Sequence, residues 1–454
     1  MARRSIDPVD TIWLNMDRAN NLMVIESLMT VEGPMDWDRF VAVLQERVLD
    51  RYPVFTQVPE WSRVPLAPPH WVDARDFRLE DHLHRATLDP PGDDVALQDY
   101  VNRFLSTPLP RDRPLWEMHL VDGYGDGVAI YSRLHHALAD GIALTRVLLS
   151  LTDETPGDDL APAPPPQGSS PGLVDTTMRL VGSTGTALLE VPRLLAPHHV
   201  VDAYTLGRQT TGIAAKLLFS QRPETPVSGA PAGVPKRAVW AQPFPLEDIV
   251  DTAHRTGTTV NDVLVAALAG AVAGYLRDHD REATDLPTMV PVNVRPLDEP
   301  LPAELGNRFA LVLFSLPSGL GTPFARLAET KRRMDAIKHS PEAWLTFGMI
   351  TAIGRTGPEL ERFLVDFFAN KATGVTTNVP GPRTTRYVAG NRITAMLGWA
   401  PESGDQTLGT SIFTYDGRVH VGFKVDTDAV PDPDRLLAAF LAEVDALRHL
   451  GRGR

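Results

Sequence analysis

The sequence predicts a mixed α/β protein of more than one domain. Runs in which apolar side chains alternate stand beside runs in which they recur at helical spacing. Proline-rich stretches separate blocks of such runs. At 454 residues, 43% hydrophobic and 22% charged, the chain is long enough for two or three domains of ordinary composition.

Met23 to Val31 reads as a strand, and Trp37 to Arg51 as a helix with Phe40, Val41, Val43, Leu44, Val48 and Leu49 on its apolar face. Trp116 to Val121 and Val128 to Leu134 form a predicted hairpin across Gly123-Tyr124-Gly125-Asp126-Gly127, whose glycines suit a turn. Asp140-Gly141 then opens a helix from Ile142 to Leu151. Thr155 to Gly172, with Pro162, Pro164, Pro165, Pro166 and Pro171, holds neither helix nor central strand and reads as a linker. Gly168-Ser169-Ser170-Pro171-Gly172 inside it matches GxSxG by chance, because that motif works only on a sharp strand-to-helix turn. Leu173 to Phe219 strings together amphipathic helix candidates, which either pack between domains or lie on lipid. Arg222 to Pro235 is a second linker-like run.

Beyond it, Asn261 or Thr259 caps a helix from Asp262 to Arg277. Strands follow at Met289 to Val294, Phe309 to Leu316, Ala372 to Thr377, Thr410 to Thr414 and Arg418 to Val425, and a helix starts at Asp432-Pro433-Asp434 and runs through Leu447. The chain divides on this reading into residues 1–154, a connecting region 155–235, and 236–454.

Composition excludes several classes. There is no cysteine, hence no disulfide framework, thiolate metal site or cysteine nucleophile. A formal charge of −13 argues against nucleic acid as the main partner, which needs a basic surface. The start Met1-Ala2-Arg3-Arg4 leads into no apolar signal core, and no uninterrupted apolar run spans a bilayer; the lack of cysteine fits a reducing cytoplasm, which is the expected location.

The most informative stretch is His135-His136-Ala137-Leu138-Ala139-Asp140-Gly141. On the preceding strand Val128, Ile130, Ser132, Leu134 and His136 share one face while Ala129, Tyr131, Arg133 and His135 share the other. The two histidines therefore cannot share one task, and a metal pair is disfavoured. His136 can serve as a base, or sit in a core bonded to backbone. His135 then reads as structural. Asp140 is a helix N-cap on its own terms.

The pattern HHxxxDG resembles the active-site motif of the CoA-dependent acyltransferase superfamily, which includes chloramphenicol acetyltransferase, plant BAHD enzymes and peptide-synthetase condensation domains. Further blocks accompany it: Pro114-Leu115-Trp116-Glu117, Val260-Asn261-Asp262-Val263-Leu264, Pro291-Val292-Asn293-Val294-Arg295 with Gly306-Asn307, Thr377-Asn378-Val379-Pro380-Gly381-Pro382 and Tyr415-Asp416-Gly417. In that order they resemble the signature blocks of the bacterial wax ester synthase/diacylglycerol acyltransferase family. Asn293 stands where Ser is common, and Asn20-Asn21-Leu22-Met23 where Asn-Pro-Met-His is common.

The resemblance implies an α/β fold of two chloramphenicol-acetyltransferase-like domains, each a mixed sheet with flanking helices, and an active site at their interface. It implies a fatty acyl transfer from acyl-CoA to a long-chain alcohol or diacylglycerol, with His136 as general base and no metal or redox cofactor. Asp140 would pair with Arg295 and hold the turn with Gly141 and His135. Asn261 and Asn378 would orient substrate or support an oxyanion, against the plainer roles of helix cap and turn residue. Lys331, Arg332, Arg333 and Lys338 would meet CoA phosphates or form a solvated helix face. Two alternatives are a carrier-protein thioester donor with a polyketide-type alcohol, and a non-catalytic lipid-binding protein at lipid bodies. The acceptor and product favour a peripheral membrane or lipid-body surface. With no cysteine and no nucleophile elbow, direct transfer without an acyl-enzyme is expected.

Overall fold

A computed structural model describes residues 3–62, 67–157, 220, 222–229, 231–294 and 300–450. Arg295, the GxSxG match and the helix candidates of Leu173 to Phe219 lie outside the described residues. The first half runs β1 (Arg3–Ser5), α1 (Pro8–Met16), β2 (Val24–Val31), α2 (Trp37–Leu44), β3 (Gln57–Glu60), β4 (His70–Asp73), β5 (Leu83–Thr87), α3 (Asp94–Asn102), β6 (Trp116–Tyr124), β7 (Gly127–His135), α4 (Gly141–Ser150) and β8 (Thr152–Asp153). The second runs β9 (Lys236–Trp240), β10 (Phe244–Pro245), α5 (Leu246–Thr256), α6 (Val260–Asp278), β11 (Leu286–Asn293), β12 (Phe309–Leu316), α7 (Pro323–Lys338), α8 (Glu342–Ile353), α9 (Pro358–Ala369), β13 (Gly374–Pro380), β14 (Tyr387–Val388), β15 (Asn391–Trp399), β16 (Leu408–Tyr415), β17 (Arg418–Asp426) and α10 (Pro433–Arg448).

Two mixed sheets organise these elements. The first has the order β5-β6-β7-β2-β15-β14-β8, and the second the order β10-β17-β16-β13-β11-β12 with β9 also on β17. A small sheet β1-β4-β3 lies apart from both. The division at residue 236 needs correction: β14 and β15 come from the C-terminal half, yet β15 pairs antiparallel with β2 in the first sheet, Trp399 opposite Glu26. One domain is therefore closed by a strand of the other, and no single cut in the sequence separates them.

Strand β7 is buried along its whole length. Val128, Ile130 and Leu134 pack with Phe40, Val43 and Leu44 of α2 and Val147 of α4, while Ala129 and Tyr131 pack with Leu97, Tyr100 and Trp399. The alternation in sequence therefore marks two different cores, not a wet and a dry face.

In the second domain α6 is the central helix. Thr259, not Asn261, caps it: the Asp262 N–H donates to Thr259 Oγ1 at 3.1 Å and the Thr259 N–H donates to Asp262 Oδ2 at 2.9 Å, a capping box. The helix is long and apolar enough by composition to cross a membrane, but 78% of its apolar window is buried in the fold, as for a core helix. Its small residues admit α10 closely. A Cβ on Gly270 would come within 2.2 Å of the Glu443 carboxyl, which is held by Arg326 at 2.6 Å.

Gly270→Ala should therefore lower the melting temperature, because Glu443 must leave a buried guanidinium. Overpacking of this kind costs about 1–3 kcal/mol, more than the ~1 kcal/mol of helix propensity gained. Thermal unfolding of the variant checks it, and an unchanged or raised midpoint would refute it.

Candidate active site

β7 ends at His135, and the chain turns at His136 before α4 begins. The backbone ladder continues into the turn on both sides: His135 N–H donates to Leu115 O at 2.9 Å and His136 N–H to Met23 O at 2.7 Å. Asp140 closes the turn as N-cap of α4, its Oδ1 accepting from Ala143 N–H at 2.8 Å. Its other oxygen accepts from the Arg308 N–H at 3.0 Å, so the carboxylate joins the turn to a segment of the second half. Ala139 also bridges to Gly306. Gly141 opens α4, and a Cβ there would meet no described atom within 4 Å.

The two histidines diverge, as their sequence positions require, although His136 lies one residue past the strand. His135 Nδ1 accepts from the Ala137 N–H at 3.1 Å, which places its proton on Nε2, 3.8 Å from Asp17 Oδ2. Burial pushes the Asp17 carboxyl up, but His135, the Met23 N–H and Arg111 outweigh it and hold the group at about 2. His135 thus braces the turn from behind.

His136 faces an apolar wall. Its ring stacks on Trp13 at 4.1 Å between centroids and lies 5.7 Å from Phe309. Burial lowers its pKa to about 4; His135 adds to the lowering, while its own carbonyl and Asn307 oppose it. The imidazole is therefore neutral at pH 7, the form that can accept a proton. Behind it, Asn307 donates from N and from Nδ2 to Asp10 Oδ1, each at 2.8 Å, and from Nδ2 to the His136 carbonyl at 2.8 Å. Burial raises the Asp10 carboxyl to about 7 against those hydrogen bonds.

Trp13 and Phe309 also line an apolar pocket, walled by Met16 of α1, Leu313 of β12, Ile350 of α8 and Phe368 of α9.

Asn261 and Asn378 meet each other, Asn378 Nδ2 donating to Asn261 Oδ1 at 2.8 Å. Asn261 is on α6 and Asn378 on the face of β13 turned toward it, whereas Val375 and Val379 on the opposite face pack with Leu313 and with the first domain's core. The pair is thus across the sheet from the pocket, and the roles of helix cap and isolated turn residue do not describe it. Trp116 packs, its Nε1 donating to Phe55 O at 2.8 Å, and Glu117 bonds the buried Arg133. Lys331, Arg332, Arg333 and Lys338 each pair with a carboxylate, the arrangement of a solvated helix face.

Sequence reasoning missed Asp10, Trp13 and Phe309, and it took Asn307 only as part of a motif block. A signal existed in Asp7-Pro8, an N-cap followed by proline, which makes 8–16 a helix and sets Asp10, Trp13 and Asp17 three and four residues apart.

The catalytic-domain profile of the wax ester synthase/diacylglycerol acyltransferase family matches residues 6–264, and its C-terminal-domain profile matches residues 305–448. The chain belongs to this family. A Mycobacterium tuberculosis protein named provisionally as a diacylglycerol O-acyltransferase is 30% identical over 454 residues, covering 95% of this chain and 87% of its own. The wax ester synthase/diacylglycerol acyltransferase of Marinobacter aquaeolei superposes with a TM-score of 0.69 at 22% identity, covering 98% of each chain. The starter condensation domain of rhizomide synthetase, solved with C8-CoA and Leu-SNAC, superposes at 0.59 with 14% identity over 99% of this chain and 94% of that one. These likenesses establish the two-domain fold of the family, and the protein is an acyltransferase of it.

The charge state of His136 is directly measurable. With a folded value of about 4 against an ordinary 6.5, the unfolded chain binds a proton between those limits that the folded chain does not. The stability of the neutral imidazole is then complete above 6.5 and is lost as the pH falls toward 4. Nitrogen-15 NMR of labelled histidine should show a neutral His136 ring at pH 6; an imidazolium there would refute the assignment.

Proposed function

We propose that this acyltransferase moves a fatty acyl group from acyl-CoA to the hydroxyl of a long-chain alcohol or of diacylglycerol, with His136 as general base. The observation that carries the reading is a neutral, buried imidazole sharing two aromatic walls, Trp13 and Phe309, with an apolar pocket. Each methylene buried in such a pocket contributes about 0.8 kcal/mol, so an alkyl chain supplies the binding energy while the reacting oxygen sits at the ring. The family supplies an acyl donor and a lipid acceptor, and a fold neighbour solved with C8-CoA supports a CoA thioester as donor.

The acceptor O–H gives its proton to His136 Nε2 as the oxygen attacks the thioester carbonyl. The tetrahedral oxyanion collapses, the C–S bond breaks, and the imidazolium returns the proton to the departing thiolate, leaving ester and CoA-SH. Asp140, bonded to Ala143 and Arg308, holds the turn and moves no proton. Acceptor and product partition into lipid, which puts the enzyme at a membrane or lipid-body surface.

The test is an assay with palmitoyl-CoA and either hexadecanol or dipalmitoylglycerol, following CoA release and ester together. His136→Ala should cost at least the ~10²–10⁴-fold typical of a general base, with the melting temperature within a few degrees of wild type. Initial rates over both substrates should give intersecting double-reciprocal lines, as for transfer in a ternary complex. Retention of activity in folded His136→Ala, or a carrier-protein thioester used where palmitoyl-CoA is not, would overturn the reading.

A further inference from the structure

We propose that Asp10 is a positioning residue for the His136 imidazole, acting through Asn307 and the His136 backbone carbonyl. The inference rests on His136 as the base. Its atoms form a short chain. Asp10 Oδ1 receives both the backbone N–H and one side-chain N–H of Asn307, and the second side-chain hydrogen goes to the His136 carbonyl, all three at 2.8 Å. The His136 Nδ1 is buried and makes no hydrogen bond among the described residues, while the His136 carbonyl and the Asn307 side chain both favour the protonated ring. A proton on Nδ1, the nitrogen these groups favour, leaves the Nε2 lone pair for substrate. The carboxyl fixes the amide and the amide fixes the carbonyl, and amide and carbonyl together set the environment of the ring.

Asp10 touches neither the ring nor the pocket, yet the chain cannot be completed without an acceptor at its position. Two buried donors converge on one oxygen, and removing it leaves both unsatisfied. The Asn307 amide would then turn toward another acceptor and release the carbonyl. The approach is tight on the other side as well: Gly306 has φ +77°, and a Cβ there would lie 3.2 Å from Asp10 Oδ2. Accepting two hydrogen bonds on Oδ1 is what the geometry asks of the carboxyl. An asparagine oxygen can do the same.

The experiment compares Asp10→Ala, Asp10→Asn and Asn307→Ala by steady-state kinetics with palmitoyl-CoA and by nitrogen-15 NMR of the His136 ring. Misplacement of a catalytic group by about 1 Å costs on the order of 10²-fold. Asp10→Ala and Asn307→Ala should therefore lower kcat by about 10–100-fold, with KM for palmitoyl-CoA changed less than about twofold. Both should mix the ring tautomers, whereas Asp10→Asn should keep the Nδ1–H tautomer and most of kcat. An unchanged tautomer in Asn307→Ala, a loss confined to KM, or an Asp10→Asn variant as impaired as Asp10→Ala would overturn the proposal. Should Asp10→Ala prove insoluble, Asn307→Ala and Asp10→Asn decide by the same readouts. The tautomer reports positioning even if His136→Ala keeps activity, so failure of the positioning chain and failure of the base assignment are separable.

Discussion

The His136 carbonyl and the Asp140 carboxylate are buried where two sheets meet, and each needs a donor that its own segment does not fully supply. Asn307 serves the first and the Arg308 N–H the second, so two adjacent residues of the C-terminal half complete a turn belonging to the N-terminal half. An unmet buried polar group costs about 1–3 kcal/mol. The turn is thus stable only when the halves are docked, and the geometry that docks them is also the geometry that presents the imidazole.

Two more contacts oppose separation of the domains. β15 completes the first sheet from the far half of the chain, and the buried Lys424 of β17 bonds Glu26 of β2 at 3.1 Å and Glu402 at 3.2 Å. Removing one member of such a cluster strands a charge, at about 3–5 kcal/mol. A ligand that enters between the domains therefore meets a preformed site. Helix α1 and its C-cap act within this frame as a single strip: Asp10 reaches Asn307, Trp13 covers the His136 ring and Asp17, the residue that ends the helix, faces His135. Their spacing of three and four residues puts all three side chains on one helical face.

The catalytic turn was legible in sequence because its signals are local: an alternating strand, a divergent pair of histidines, and an aspartate at a helix start. The order of motif blocks likewise matched the family. What escaped was set by tertiary contact. Asp10 and Asn307 are 297 positions apart, and neither neighbourhood announces the other. β15 escaped because a register shift between Ile393 and Ala395 breaks its alternation. Helix α8, Glu-Ala-Trp-Leu-Thr-Phe-Gly-Met-Ile-Thr-Ala-Ile, has no polar face from which a period could be read, since one side lines the pocket and Leu345 on the other is exposed. Asn261 was a credible cap by residue type; Thr259 won because Asp262 answers it reciprocally.

The burial that makes His136 neutral also sets how it handles a proton in the proposed reaction. An imidazole whose pKa is held near 4 is a weak base, so it takes the hydroxyl proton only as the oxygen's charge passes into the new bond, and no pool of alkoxide and imidazolium builds up. Once charged it is a correspondingly strong acid. A thiol of the cysteine type has an ordinary pKa of about 8.5, well above that of the buried imidazole, so the transfer from imidazolium to departing thiolate runs downhill. The same desolvation therefore penalises the first proton transfer and favours the second. The thiolate, a weaker base than the alkoxide, is the better leaving group, so the tetrahedral species breaks down toward ester, and the initial attack is the step most sensitive to where the ring points.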